Sequence, residues 1–204
     1  CMTVTGRTLG EEIEAAPLPW DQDVVRPFNN PLYPQGGIAV LRGNLAPDGA
    51  IVKQSAASEH LMDHVGKAVV FEDQEDLANR IDDPNLDVGP DDILVMKNAG
   101  PKGAPGMPES GYLPIPKKLA AKGVKDMIRM SDARMSGTAF GSVVLHITPE
   151  AADGGPLALV QNGDKIKLDV PKRRLDLLVD KDVMDRRRAA WIPPPPHEGS
   201  DRGY

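Results

Sequence analysis

The chain has 204 residues, 40% apolar and 26% charged, which is ordinary for a globular domain and enough to bury a real core. With only 4% aromatic residues that core must rest on Val, Leu, Ile and Ala, and 20 Pro with 20 Gly point to long, shaped loops between short elements, not to a helical bundle. A net charge of −6 argues against a nucleic-acid partner, no apolar run approaches the ~18 residues of a membrane span, and the single cysteine, Cys1, excludes a disulfide framework within the chain and cannot by itself hold a multi-thiolate cluster.

In chain order, Thr8 is placed to cap a short helix over Leu9 to Ala15, with Glu11 in capping-box position and Glu12 near the positive helix end. Pro17 and Pro19 stop it. Residues 21–37 read as an extended loop with turn signals at Asn30-Pro31 and Gln35-Gly36-Gly37. Strand-like stretches follow: Ile38 to Leu41, Ala50 to Gln54, Ala68 to Phe71, Ile93 to Met96, Met127 to Met130, Ser142 to Ile147, Leu157 to Val160 and Lys165 to Val170. Helices fit Gln74 to Ile81, Pro116 to Lys122 and Lys181 to Ala190. The Asn162-Gly163 pair predicts a hairpin joining Leu157 to Val160 with the alternating strand that follows. Pro193 to Pro196 must be extended and reads as an arm lying on another surface, a hint of subunit contact. Strands dominate, so the fold class expected is α/β and β-rich.

Two loops are costly for folding alone. The first, Gly100 to Glu109, directly follows the apolar strand Ile93 to Met96, and six of its ten residues are Gly or Pro. The carboxylate that closes it, Glu109, is of the type that holds Mg²⁺ together with substrate oxygens. Composition equally permits a surface turn ending in a solvated Glu. The second, Ser131 to Gly141, lies between two strands and sets small hydroxyl residues beside Gly137, so that side-chain oxygens and backbone N–H groups can meet an anion. Ser136 could act there as nucleophile or base if a cation or metal lowers its pKa. The other reading is a tight turn using Ser and Thr as caps. Arg134 and Met135 precede Ser136, so the Gly-x-Ser-x-Gly elbow of serine hydrolases is not matched.

The histidines are weaker candidates. His60 and His64 have i, i+4 spacing without the His-Glu-x-x-His pattern and read as ordinary loop or surface residues. His146, in an apolar strand, reads as a satisfied core histidine. The basic run Arg186 to Arg188 reads as a solvated helix face.

At the two loops the sequence resembles the dihydroxy-acid and phosphogluconate dehydratase family (IlvD/Edd). The segments that carry the likeness are Thr3 to Leu9, Gly36 to Gly49, Gly100 to Glu109, Asp132 to Gly137 and Thr148 to Pro156. The family's branched-chain biosynthetic members usually have Thr-Asp-Gly-Arg-Phe-Ser-Gly where this chain has Ser131-Asp132-Ala133-Arg134-Met135-Ser136-Gly137. The form found here, with Lys97-Asn98-Ala99-Gly100 upstream, looks like the pentonate dehydratases that act on arabinonate or xylonate.

The resemblance implies a swivelling β/β/α domain, a β-barrel with flanking helices similar to the small domain of aconitase-like enzymes. It also implies elimination of water from a 2,3-dihydroxy sugar acid, giving a 2-keto-3-deoxy acid. Carried over residue by residue, Ser136 matches the base, Thr138 a hydroxyl that orients substrate, and Glu109 a carboxylate ligand of Mg²⁺, with Arg134 in support. The iron-sulfur cluster cysteines and remaining Mg²⁺ ligands are expected in an N-terminal domain of the same chain that precedes Cys1, and Cys1 matches none of them. The expected organisation is an interdomain segment with a short helix over 1–20, the swivelling domain over 21–191 and a Pro-rich tail over 192–204. The whole is expected to be a cytoplasmic homo-oligomer, and this part alone to be inactive. Rival readings are a dihydroxy-acid dehydratase of branched-chain amino-acid synthesis, a non-catalytic binding module of the same fold, and a phosphate-binding enzyme using Gly100 to Glu109 as a cradle, although that loop lacks Gly-Lys-Ser/Thr.

Overall fold

The structure, a computed structural model, describes residues 1–17, 22, 24–104, 113–134 and 140–195. Two compact units divide at Pro34 and Gln35. In the first, α1 (Leu9–Ala15) starts as its sequence predicts: the Thr8 hydroxyl accepts from Glu11 N–H while the Glu11 carboxylate accepts from Thr8 N–H. These reciprocal bonds satisfy two donors that a helix start otherwise leaves open.

The second unit contains β1 (Ala39–Leu41), β2 (Gly49–Val52), β3 (Asp63–Phe71), α2 (Gln74–Arg80), β4 (Ile93–Met96), α3 (Lys117–Ala120), β5 (Arg129–Ser131), β6 (Val143–Thr148), β7 (Lys165–Asp169), β8 (Arg174–Leu177) and α4 (Lys181–Ala190). The strands form one mixed sheet in the order β1-β2-β6-β5-β4-β3-β7-β8. Strands β3, β4, β5 and β6 run parallel, and the strands outside them pair antiparallel. Nine-residue β3 serves two partners, β7 along Asp63–Lys67 and β4 along Ala68–Phe71.

The two edge strands meet, so the sheet is a nearly closed barrel. Arg42 N–H donates to Arg173 O at 3.0 Å and Leu175 N–H to Arg42 O at 3.1 Å, a short parallel bridge between the ends of β1 and β8. The next two residues make the approach possible. A Cβ on Gly43 would lie 1.9 Å from the Leu175 carbonyl oxygen, so only glycine fits. Asn44 then imitates a strand: its side-chain amide donates to Leu177 O at 2.8 Å and accepts from Leu177 N–H at 2.6 Å. The edge groups of β8 thus find partners instead of remaining open for adventitious pairing.

Parallel strands with chain on both sides tend to be apolar on both faces, and β3 and β4 are, while the outer face of β5 carries buried Arg129 and Ser131. Ala68, Val70, Ile93, Val95, Ile128 and Met130 point into the barrel, where they meet Leu41, Val52, Ile166, Leu168 and Leu175. The alternate residues Val69, Phe71, Leu94 and Met96 form a second cluster outside it, covered by Leu77 and Ile81 of the α2 region and by Leu113 and Leu119. The expected β-rich α/β class and barrel are what the structure contains.

Two expectations fail. Leu157 to Val160 is not a strand: Pro156–Leu159 is a buried turn of 3₁₀ helix, and β7 pairs with β3 and with β8, a strand that the sequence reading passed over. The Asn162-Gly163 turn instead delivers the chain to β7, and the Asn162 side chain accepts from Val70 N–H at 2.7 Å. Nor is the basic run fully solvated. Arg187 forms a two-pronged pair with Asp164, and its side chain is 17% exposed.

The closure generates a prediction. Gly43→Ala should cost about 1–3 kcal/mol through overpacking, and Asn44→Ala a similar amount, about 1–3 kcal/mol, by stripping partners from Leu177. Urea-unfolding midpoints of the chain check both, and a Gly43→Ala midpoint equal to that of the parent would refute this account of the closure.

Candidate active site

The loops singled out above leave the carboxyl ends of neighbouring parallel strands, β4 and β5, and a third, Thr148 to Pro156, leaves β6 beside them. This end of a parallel sheet is where ligands of α/β proteins collect, because successive crossovers splay the loops apart there. Ser136 and Thr138 fall within 135–139, and Glu109 within 105–112, both outside the described residues. The stems of their loops are described in full.

One buried carboxylate joins all three stems. Asp132, the first residue after β5, is 3% exposed. Its Oδ1 accepts from Ala99 N–H on the β4 loop at 3.0 Å, and its Oδ2 accepts from Ala151 N–H on the β6 loop at 2.8 Å. Burial raises its pKa above the ordinary carboxyl range, opposed by these backbone donors and by the Ser131 hydroxyl. A second carboxylate, Glu150, accepts from Lys102 N–H at 2.9 Å and Gly103 N–H at 3.3 Å, so it cups the start of the Gly/Pro-rich loop. Lys102 also pairs with Asp153. On the far side of β4, buried Lys97 pairs with Glu72 at 3.0 Å, and Asn98 adopts φ 53° while its amide donates to Glu72 O.

His146 is corrected by the structure. Four residues of β6, Leu145 to Thr148, face three of β2, Gly49 to Ile51, and the extra residue makes a β-bulge that re-aims a side chain. His146 is therefore exposed, with φ 52° and its N–H donating to Ala133 O at 3.1 Å. Partial desolvation of its ring against the protein and the nearby Arg134 charge both lower its pKa. His60 is exposed, and His64 Nε2 lies 2.8 Å from Asp91 O, so both remain ordinary residues.

At the opposite end of β5 the two loops return to the sheet and meet another charged pair. Asp126, with a side chain 4% exposed, accepts from Ser142 N–H and hydroxyl and from Ser58 N–H. Arg129 lies 3.5 Å away and donates to Leu113 O and Phe140 O. A Cβ on Gly141 would lie 2.2 Å from Arg129 Nη2, and its φ is +101°, so glycine alone suits that junction. No local motif signalled Asp126, Arg129 or Glu150: the partners of Asp126 are 68 and 16 residues away.

Among the described residues no three His, Cys, Asp or Glu side chains converge on a common metal position, and one cysteine does not fit the thiolate set of an iron-sulfur cluster.

Burial alone would raise the Asp126 pKa, but the Ser142 and Ser58 donors outweigh it and hold the group below its ordinary 3.8. A depressed carboxyl stabilises the fold fully above its unfolded pKa and loses that contribution as pH falls through the lower folded value. The gap in urea midpoint between the parent chain and Asp126→Asn should thus stay constant from neutral pH to about pH 5 and narrow as pH falls below about 4. A gap constant throughout would mean that these hydrogen bonds do not bind the charged form preferentially.

Comparison with known proteins agrees with this geometry. The family model described as dihydroxy-acid/6-phosphogluconate dehydratase C-terminal matches residues 23–204. The chain is 54% identical over 203 residues to L-arabinonate dehydratase of Rhizobium leguminosarum bv. trifolii, covering 100% of this chain and 34% of that protein. It is 52% identical over 196 residues to 6-deoxy-6-sulfo-D-gluconate dehydratase of Pseudomonas putida, covering 95% and 34%, and 43% identical over 199 residues to dihydroxy-acid dehydratase of Methanothrix thermoacetophila, covering 96% and 36%. It thus spans about a third of the length of these relatives. Three loops bound through one buried carboxylate, on a barrel that carries the family's sequence pattern from residue 23 onward, lead to one conclusion: the chain belongs to the dihydroxy-acid/6-phosphogluconate dehydratase family, of which it is the C-terminal domain.

Proposed function

We propose that the complete protein is a sugar-acid dehydratase converting an aldonic acid to its 2-keto-3-deoxy acid, and that this domain supplies the base and one metal ligand. The observation that carries the reading is the joining of the β4 and β5 loops through Asp132, since Glu109 and Ser136 belong to those two loops. In the reaction the C2 proton is removed, the C3 hydroxyl departs as water, and the resulting enol tautomerises to the keto acid. Ser136 as its alkoxide takes the C2 proton. Thr138, two residues on, orients the substrate through its hydroxyl. Glu109 is a hard oxygen ligand of the kind Mg²⁺ prefers, and Mg²⁺ when bound supplies the charge that allows a hydroxyl to ionise near neutral pH. With a single cysteine in the chain, an iron-sulfur cluster would take its ligands from an N-terminal domain.

The choice of sugar acid over branched dihydroxy acid rests on the Asp132-Ala133-Arg134-Met135-Ser136 form of the motif and on identity. Relatives named for arabinonate, arabonate or sulfogluconate are 52–54% identical, and those named dihydroxy-acid dehydratase 43–46%. Functioning as half of a shared cleft, the domain is expected to be inactive alone.

In the full-length protein, Ser136→Ala should lower keto-acid formation from L-arabinonate and related aldonates by about 10²–10⁴-fold, the usual contribution of a positioned base, with iron content unchanged. Retained turnover would remove Ser136 as the base. A preference for a branched dihydroxy acid over every aldonate would transfer the protein to the other substrate class.

A further inference from the structure

We propose that Arg129 is a positioning residue that sets the separation of the two chemistry-bearing loops; the inference rests on the functional reading above. Its guanidinium is the only group among the described residues to hold the returning ends of both. Nη1 donates to Leu113 O at 3.0 Å and Nη2 to Phe140 O at 2.8 Å. Leu113 lies four residues after Glu109 and Phe140 four after Ser136. Four residues of chain reach at most about 14 Å even when extended, so the fork grips both loops a short length of chain after the residues that carry the proposed chemistry.

The arrangement is costly unless it is needed. Arg129 is 6% exposed and sits on a strand whose neighbours Ile128 and Met130 face the barrel core. A buried guanidinium needs a charge partner and acceptors for its terminal nitrogens; Asp126 at 3.5 Å is the first, and the two carbonyls are the second. An apolar residue at 129 would spare the burial but leave two loop ends without a common donor. Because the fork is rigid and its two terminal nitrogens are fixed relative to each other, it holds the carbonyls at a set spacing. Lysine, with one ammonium on a flexible stem, would keep the charge opposite Asp126 and lose that spacing. Asp132 binds the same loops where they leave the sheet and Arg129 where they return, at opposite ends of the three-residue strand β5.

The experiment uses the full-length protein and the aldonate that the parent turns over, with Mn²⁺ as a spectroscopic probe of the divalent site. For Arg129→Lys we expect a parent-like unfolding midpoint and iron content, a kcat about 10²-fold lower, as misplacement of about 1 Å can produce, and Mn²⁺ affinity about 10-fold weaker, as for loss of an outer-shell partner. A lesion that merely lowered the folded fraction would reduce kcat without moving the Mn²⁺ dissociation constant of the remainder. Folded Arg129→Lys with parent kcat and parent Mn²⁺ affinity would overturn the proposal. If that variant does not fold, Arg129→Ala assayed with millimolar guanidinium or methylammonium decides: recovery of kcat and Mn²⁺ affinity with guanidinium alone supports the fork, and equal recovery with both cations, or recovery with neither, overturns it. Ser136→Ala is assayed in parallel. Turnover retained there defeats the functional reading, whereas an inactive Ser136→Ala beside a parent-like Arg129→Lys defeats only the positioning role.

Discussion

A carboxylate buried at the end of β5 is the constraint from which the working end of this domain follows. Taking Asp132 out of water is expensive, as its raised pKa records, and the cost is offset only while both oxygens keep their backbone donors. Those donors, Ala99 and Ala151, belong to loops leaving two other strands. Any motion that parts the loops strands a buried charge, a penalty of about 1–3 kcal/mol or more. The β4, β5 and β6 loops therefore behave at their stems as one body, even though Gly and Pro dominate one of them.

That body needs a stiff platform, and barrel closure provides it. If β1 and β8 did not meet at Arg42 and Arg174, the inner faces of β3 to β6 would lose the side chains of β7 and β8 that complete their packing. The fit of Gly43 against Leu175, distant from any chemistry, thus bears on where Asp132 sits. Long-range structure of this kind couples a turn near residue 43 to a site near residue 132 through packed strands and not through direct contact.

How much of this could be read from the residues depends on the range of the determining contact. The capping box at Thr8 and Glu11 and the strand Ile93 to Met96 were legible because a helix start is fixed within four residues and a fully buried strand shows as an unbroken apolar run. Leu157 to Val160 shows the limit of the same rule: the run is apolar and buried, yet Pro156 opens a 3₁₀ turn, and an apolar run records burial without specifying backbone form. Strand β8 alternates plainly in Arg174-Leu175-Asp176-Leu177, but its brevity hid it. His146 was misjudged because one inserted residue reverses which side of a strand faces solvent. For the loops, composition left metal ligation by Glu109 and base action by Ser136 as alternatives to ordinary turns, and the family likeness supplied the roles. Asp126, Arg129 and Glu150 were silent because a lone charge carries no signature when its partners lie tens of residues away.

Sites built on loops are usually less exact than sites built on helices or strands, and a site shared between two loops faces that difficulty twice. This domain meets it by fastening the β4 and β5 loops at both ends to residues of the sheet and its margins. Asp132 and Glu150 hold where the chain leaves the sheet; Asp126 and Arg129 hold where it returns. The Asp and Arg anchors bind backbone N–H and C=O groups, so these contacts do not depend on which side chain the bound loop residue carries. A change in an anchor, in contrast, shifts both loops together. The frame of these loops thus rests on three carboxylates and one guanidinium that act largely on backbone groups.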